Sequence, residues 1–436
     1  MRTFSRILVP ALLAVSLTAC GGSDSSTTTA EPDGGSSDST SAAPEPSASD
    51  STALPERGDA DLVIWTDALK IDTVKKVADA FGEANGISVE VQAISSDLQP
   101  NFVTANSAGN GPDVVVGAHD WIGNLVQNGA IEPLQLTPDQ LEGYSPKAVD
   151  ATTYDGQLYG VPYGIEALAL YRNTDVAPDE PKTLDDAISE GEAAVKAGKV
   201  DSALNLPVGE NGDAYHMEPI LTSLGGYIFG EGSDGGYNPE DVGIGKPGSI
   251  AAAKKISELA KAKVLRSSIS GDNSIALFTS GKAAFLISGP WALPDVQKSG
   301  IKYAIQPVPG FAGGDPAQPF MGAQAFMVAS GAQNEAFAQE FVTNGVNTEE
   351  AMQTLYDGTK LPPAMTAVQD KVDDPDLKVF TDAANGAGPM PAIPAMGSVW
   401  EPLGKAYAAI VGGADPTKTM QDAGKTITDA IKAAGG

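Results

Sequence analysis

The sequence holds one cysteine, Cys20, in 436 residues. A single thiol cannot close an internal disulfide, so the fold must stand on packing alone, and a lone Cys in an exported chain points to a modification. Histidine is nearly as scarce, with His119 and His216 alone. Two imidazoles leave little for a metal centre or a His-based catalytic site, and neither a resident metal nor a cofactor is expected. Cations are also short: 27 Lys and Arg stand against 56 Asp and Glu, for a formal charge of −29 and a pI near 4.2. Such a polyanion repels phosphates, which excludes non-specific nucleic-acid binding. It suits a secreted protein with a neutral or cationic ligand. Finally, beyond the first twenty residues no run is apolar for long enough to span a bilayer.

What is present divides the chain. Its length makes two domains the default, and 42% hydrophobic with 19% charged residues fits a globular protein carrying a disordered part. Residues 1–20 read as a signal peptide, with Arg2 and Arg6 ahead of an apolar run from Ile7 to Leu17. Leu17-Thr18-Ala19-Cys20 resembles a bacterial lipobox. That resemblance implies cleavage before Cys20 and a diacylglyceryl group on its sulfur; the alternative is an ordinary signal peptide with an incidental Cys. Residues 21–58 are rich in Ser, Thr, Asp, Gly, Pro and Ala, and cannot bury enough apolar surface to offset their ordering entropy. They are expected to form a flexible acidic tether that lets a domain sample the space above the outer face of the cytoplasmic membrane.

From Asp61 onward the pattern is α/β. Asp61 to Trp65 reads as a strand, Asp72 to Ala84 as a helix with Val74, Val77, Ala78 and Phe81 on one face, and Ile87 to Val91 as a strand after an Asn85-Gly86 stop. A helix from Leu98 to Ser107 leads through Gly111-Pro112-Asp113 to the strand Val114 to Val116. Such β-α-β units build a parallel sheet, and strand-end loops face a ligand crevice. Two loops qualify here: Thr66 to Lys70 and Gly117 to Trp121. Gly243-Ile244-Gly245-Lys246-Pro247-Gly248 matches G-x-G-x-x-G but lacks the preceding strand, so it reads as a helix-capping turn. Asp373-Asp374-Pro375-Asp376 reads as a solvated acidic turn without the spacing a Ca²⁺ loop needs.

The pivotal stretch runs from Leu158 to Asn173. It opens with turn residues, enters an apolar segment from Ala167 to Tyr171 that reads as a buried strand, and is followed by a helix capped by Thr183. Glu166 is the odd residue. A carboxylate at the mouth of an apolar strand either sits in water at the rim or has partners that offset its burial.

The run from Tyr163 to Asn173 resembles the crossover between the lobes of maltose/maltodextrin-binding proteins, the family-1 extracellular solute-binding proteins of ABC sugar importers, and the similarity extends from about Asp61 onward. It implies a two-lobe, periplasmic-binding-protein-like type II fold. Each lobe is a mixed, mostly parallel sheet flanked by helices, with the ligand cleft between. Lobe 1 is expected at 59–164 and 326–372, and lobe 2 at 165–325 and 373–436, with crossovers near Gly164, Phe320 and Pro375. The resemblance also implies that Glu166 reaches sugar hydroxyls, that Asp120 binds sugar from the Gly117–Trp121 loop, and that Asp213, Tyr215, Trp291 and Trp400 line the second lobe's side. Lys70, Asp67 and Trp121 join this set. The chain departs from the family's pattern at four positions: the aromatic expected at Gly117 is missing, an Arg is replaced by Trp121, and a neighbouring Tyr and Arg by Glu401 and Gly404. For His119, one residue from Asp120, a structural loop role is the stronger reading.

The implied function is a monomeric, lipid-anchored, non-enzymatic receptor that carries a maltose-type oligosaccharide to ABC permease subunits. Trehalose, sucrose or a substituted glucan stands as the alternative ligand. Asp120, Asp213 and Glu166 would also suit the carboxylate pair of a secreted glycoside hydrolase, although no G-x-S-x-G motif is present. A structural surface lipoprotein is disfavoured by the clustering of acids and aromatics at strand-end loops.

Overall fold

The computed structural model describes residues 57–136, 138–232 and 236–434. The signal peptide, Cys20 and residues 21–56 of the tether lie outside the described residues.

The first sheet is built from β1 (Leu62–Thr66), β2 (Val89–Ala93), β3 (Val114–Ala118), β4 (Val161–Glu166) and, from much later in the chain, β9 (Gly322–Val328). Its strand order is β2-β1-β3-β9-β4. Helix α1 (Ile71–Asn85) joins β1 to β2 and stops at Gly86, whose φ of 67° is the left-handed conformation glycine tolerates. Helix α2 (Leu98–Ser107) joins β2 to β3. The period-two alternation of β1 splits the core in two. Leu62 and Ile64 pack with Val77 and Phe81 of α1, whereas Val63 and Trp65 pack with Phe102 of α2 and Leu125. Asp113, at the Gly-Pro-Asp turn, ties this sheet together. Its carboxylate accepts the backbone N–H groups of Val63 at 2.7 Å, Gln333 at 2.8 Å and Asn334 at 3.1 Å, and pairs with Arg57 at 2.7 Å. Arg57, expected in the tether on composition, is therefore docked on the folded unit. Its partner lies 56 residues away, and composition cannot report such a contact.

The second sheet contains β5 (Ala169–Asn173), β6 (Ser202–Asn205), β7 (Ala283–Ser288) and β8 (Tyr303–Pro307), in the order β8-β5-β7-β6. Helix α3 (Leu184–Lys196) follows β5, with a complete capping box between Thr183 and Asp186. Helix α4 (Glu218–Thr222), α5 (Pro247–Lys261) and α6 (Leu293–Ser299) come next, then α7 (Pro375–Gly386), α8 (Trp400–Val411) and α9 (Pro416–Ala433). Leu170, Leu204, Phe285 and Ile287 meet α5, α8 and α9 on one face, while Tyr171 and Leu286 meet Phe278 and Phe380 on the other.

Both sheets are mixed and flanked by helices, and in each all strands but one share a direction, as expected of a mixed, mostly parallel sheet. The first has two parallel and two antiparallel pairings, the second one parallel and two antiparallel. One reversed strand inside each sheet accounts for the antiparallel pairings: β9, between β3 and β4, and β5, between β8 and β7. The chain leaves the first sheet after Glu166 and returns to it at Gly322, so both linking strands belong to it over their whole length.

Two local expectations change. The turn-like residues Gly160, Pro162 and Gly164 lead into a strand, β4. It lies at the sheet edge, where a missing proline N–H is tolerated, and Pro162 pairs with Ala325 beside a register shift. The acidic turn at 373–376 starts a helix, α7: Asp374 caps it by accepting the N–H groups of Asp376 and Leu377. The chain then pairs with the other crossing at Met321, which exchanges backbone hydrogen bonds with Gly388 and Met390.

Candidate functional site

The first sheet delivers a connected set of polar groups at its strand ends. Asp67 turns the loop after β1 by accepting the Leu69 N–H at 2.9 Å. Lys70 pairs with the Asp67 carboxylate and donates to Gln324 Oε1 at 3.2 Å. Gln324, on β9, donates in turn to Glu166 Oε1 at 3.1 Å. Four side chains from three strand ends thus form one relay. Glu166 is buried at 9% exposure rather than solvated at a rim. Gly322 makes the room, since a Cβ there would lie 2.8 Å from Glu166 Cγ. Burial pushes the Glu166 carboxyl above its ordinary range, with Lys70 and the Gln324 amide opposing.

After β3 the residues His119, Asp120 and Trp121 form a single 3₁₀ turn. His119 points inward. Its Nδ1 accepts the Ala323 N–H at 3.0 Å, which leaves the proton on Nε2 to be donated to the Met390 carbonyl at 3.0 Å. It is fully buried, its pKa lowered to about 4 by desolvation. It therefore ties β3 to both crossing segments and is structural. Asp120 faces the other way. It is 7% exposed, and burial pushes its carboxyl up to about 7, opposed by a hydrogen bond from the Trp400 side chain and reinforced by the charge of Glu166.

Trp121 lies over Gly117: a Cβ on Gly117 would stand 2.1 Å from its ring. The missing aromatic and the gained one are thus a single arrangement, in which the indole occupies the space that a side chain at 117 would need. Trp121 walls a cavity of about 200 Å³ with Asp67, Lys70, Ser95, Asp97 and Gln324.

The second sheet's contribution begins at Gly212 (φ 77°), which rests on α8: a Cβ on it would be 1.7 Å from the Gly404 carbonyl oxygen. The small residue at 404 is what lets this loop lie on the helix. Next to it, Asp213 is engaged by His216, whose backbone N–H reaches Oδ1 at 2.9 Å and whose Nδ1 reaches Oδ2 at 2.7 Å. The Asp213 carboxyl is held below its usual range by the His216 charge and hydrogen bonds, which outweigh desolvation, itself the largest single effect. Tyr215, His216 and Trp291 form a mutual aromatic group, with ring centroids 5.5 Å apart for Tyr215–His216, 6.2 Å for Tyr215–Trp291 and 6.0 Å for His216–Trp291. Trp291 stands in the 3₁₀ turn after β7, and Trp400 opens α8.

The two groups meet. The Trp400 indole acts on the Asp120 carboxyl, Glu166 feels the charge of His216, and the Tyr215 hydroxyl feels Glu166, Asp213 and Asp120. All nine residues expected at the site thus fall in one neighbourhood, divided between strand ends of the first sheet and loops of the second. Two members escaped the sequence reading. Gln324 stood out as a lone amide in the apolar run from Phe320 to Val328, a signal that was legible. His216 lies one helical turn from Asp213, but nothing local said that its ring would reach Trp291.

Several buried polar atoms here lack a hydrogen-bond partner among the described residues: Asp120 Oδ1, Tyr215 OH, Tyr163 OH and Thr66 Oγ1. Buried polar groups are nearly always paired, so these atoms mark where a polar ligand would complete the site. Among the described residues there is no group of three His, Cys, Asp or Glu side chains arranged to hold a metal ion, and no helix long and apolar enough to cross a membrane.

Comparison with known proteins agrees with this architecture. A galactooligosaccharide-binding protein of Bacillus subtilis is 29% identical over 98% of this chain and 97% of its own length. A maltodextrin-binding protein of the same organism is 28% identical over 82% of this chain and 86% of its own. A maltotriose-binding protein of Pyrococcus abyssi is 26% identical over 79% and 76%. These relatives are binding proteins and not enzymes, which sets the glycoside-hydrolase reading aside. Residues 76–385 match the model of the bacterial extracellular solute-binding proteins, and with that span covering well over half of it, the chain belongs to this family.

Proposed function

We propose that this protein captures a neutral oligosaccharide between its two lobes and delivers it to the membrane subunits of an ABC importer. The observation that carries the reading is the pairing of unpartnered buried polar atoms from opposite lobes, Asp120 Oδ1 and Tyr215 OH, beside the indoles of Trp291 and Trp400. A pyranose presents an apolar C–H face and a rim of hydroxyls. Aromatic faces suit the first, and carboxylates with amides suit the second. Contacts made to both lobes at once are what stabilise a closed form, with the crossings after Glu166, before Gly322 and near Met390 as its hinges.

A maltose-type α-glucan is the first candidate, resting on Asp120, Glu166, Asp213, Tyr215, Trp291 and Trp400, with Lys70, Asp67 and Trp121 alongside. A galactooligosaccharide is the second. It is favoured by the relative that aligns along nearly the entire chain. The accompanying reading is a monomeric receptor held at the outer membrane face by lipid on Cys20, with the tether between. Two experiments test this. Intrinsic tryptophan fluorescence is titrated with maltotriose, a galactotriose, trehalose and sucrose: a saturable change with one of them, lost in Trp291→Ala, supports the clamp and assigns the sugar, and silence across the panel refutes it. Detergent phase partitioning of the full chain and of Cys20→Ser tests the anchor, which predicts detergent-phase recovery for the first alone.

A further inference from the structure

His216 is a titratable group in the site to which the family resemblance attaches no role, and its placement is unusually determined. Asp213 holds it twice, through the backbone N–H at 2.9 Å and through Nδ1 at 2.7 Å. Tyr215 packs on it near-perpendicularly at 85°, and Trp291 does so at 88°. Ring rotation is blocked on those sides. An imidazole whose Nδ1–H is committed to a carboxylate presents Nε2 as an acceptor when neutral and as an N–H donor when protonated. Nε2 has no hydrogen-bond partner among the described residues, and the ring is only half-buried.

The charged groups around it are Asp213 from its own loop and Glu166 from β4; Lys70 and Asp67 act in turn on Glu166, and Asp120 acts on the neighbouring Tyr215. Asp120 and Glu166 bring carboxylates to one wall of the site. His216, from a loop of the second sheet, brings a nitrogen whose direction is fixed by Asp213 and whose distance from a sugar stacked on Trp291 is set by the ring contact.

We propose that His216 is a ligand-contacting, specificity-determining residue: its Nε2 hydrogen-bonds one particular hydroxyl of the sugar unit that stacks on Trp291, and Asp213 is the positioning residue that fixes the direction of the ring. This rests on the oligosaccharide reading above. The chemistry has a consequence for selectivity. A site that hydrogen-bonds a hydroxyl through a group held in one direction rejects an analogue lacking that hydroxyl far better than an apolar wall rejects an extra one. His216 would thus discriminate among sugars that differ at one ring position, which stacking on Trp291 cannot do.

The test is calorimetric titration of the intact protein with whichever sugar of the panel binds, and with its monodeoxy derivatives. His216→Phe keeps a ring against Tyr215 and Trp291 but removes Nε2, and is expected to weaken binding about tenfold to thirtyfold, the equivalent of one hydrogen bond to a buried partner. One monodeoxy sugar should show the same loss on the wild type and no further loss on His216→Phe. His216→Gln, which still offers an acceptor, should recover part of the affinity. Asp213→Asn, which no longer fixes the ring, should narrow the affinity gap between the parent sugar and that one monodeoxy derivative while leaving the ranking of the other derivatives unchanged, a readout that a merely structural carboxylate would not move. Unchanged melting temperatures separate these effects from unfolding. If His216→Phe binds every sugar within twofold of the wild type while Trp291→Ala does not bind, this proposal is overturned and the oligosaccharide reading stands. If the wild type binds no sugar, both are overturned.

Discussion

Protonating His119 should unlatch the fold, and the effect is large enough to isolate. The ring is fully buried, accepts from Ala323 and donates to Met390, and burial lowers its pKa from 6.5 to about 4. As pH falls below 6.5, the unfolded chain takes up the proton first, while the folded chain resists until about 4. The unfolded state therefore binds more protons across this window, and stability declines as pH falls through it. Above about pH 6.5 the contribution is intact. Below about 4 it is fully lost, and the depression corresponds to roughly 3 kcal/mol. Other groups oppose this trend, since burial pushes Asp120 and Glu218 up to about 7 and about 8. The wild-type pH profile is thus a sum, and the difference between wild type and His119→Gln isolates the single term. Urea melts at half-unit steps from pH 4 to 8 should show the wild type losing stability relative to His119→Gln on acidification, with a slope approaching about 1.4 kcal/mol per unit. A flat difference curve would refute the argument. Because Ala323 and Met390 both lie on crossing segments, amide exchange at 321–324 and 388–391 should accelerate over the same interval.

Asp120, with its carboxyl near 7, should couple binding to pH in the same sense. A sugar hydroxyl donates to the ionised form, so affinity rises with pH through about 7, by up to tenfold per unit below it, and Asp120→Asn flattens the profile in calorimetry. Gly117→Ala puts a methyl 2.1 Å from the Trp121 ring. The half-exposed indole swings away, so chemical melts change by about 1 kcal/mol or less while the Trp121 fluorescence contribution shifts; a larger stability loss would mean that the ring cannot move. Glu218 is buried on α4 with Oε2 unpartnered, and burial holds its proton up to about 8. The folded state keeps that proton between about 4.5 and 8, so stability is lost as pH rises through this window. Glu218→Gln should exceed the wild type at pH 8 by up to roughly 5 kcal/mol in urea melts, with the gap closing toward pH 4.5.

Much of the fold was legible because its determinants are local. The face of α1, the Asn85-Gly86 stop, the Thr183 cap and the bounds of α2 follow from periodicity and capping chemistry within a few residues. Where local chemistry pointed elsewhere, the neighbours decided. Pro162 and two glycines read as a turn until an edge position beside β9 made them a strand. Asp374 read as solvated until its carboxylate capped α7.

The sequence by itself determined an acidic, cysteine-poor α/β chain with paired strand-end loops, and its resemblance to one family nominated the residues of the site. Tertiary structure alone decided that Glu166 is buried on Gln324 and not at a rim, that Arg57 belongs to the folded unit, that Trp121 and Gly117 share one volume, and that His216 faces Trp291. Each of these is a contact between residues distant in sequence. A side chain's charge state and direction depend on what surrounds it in space, and composition and spacing carry no record of that.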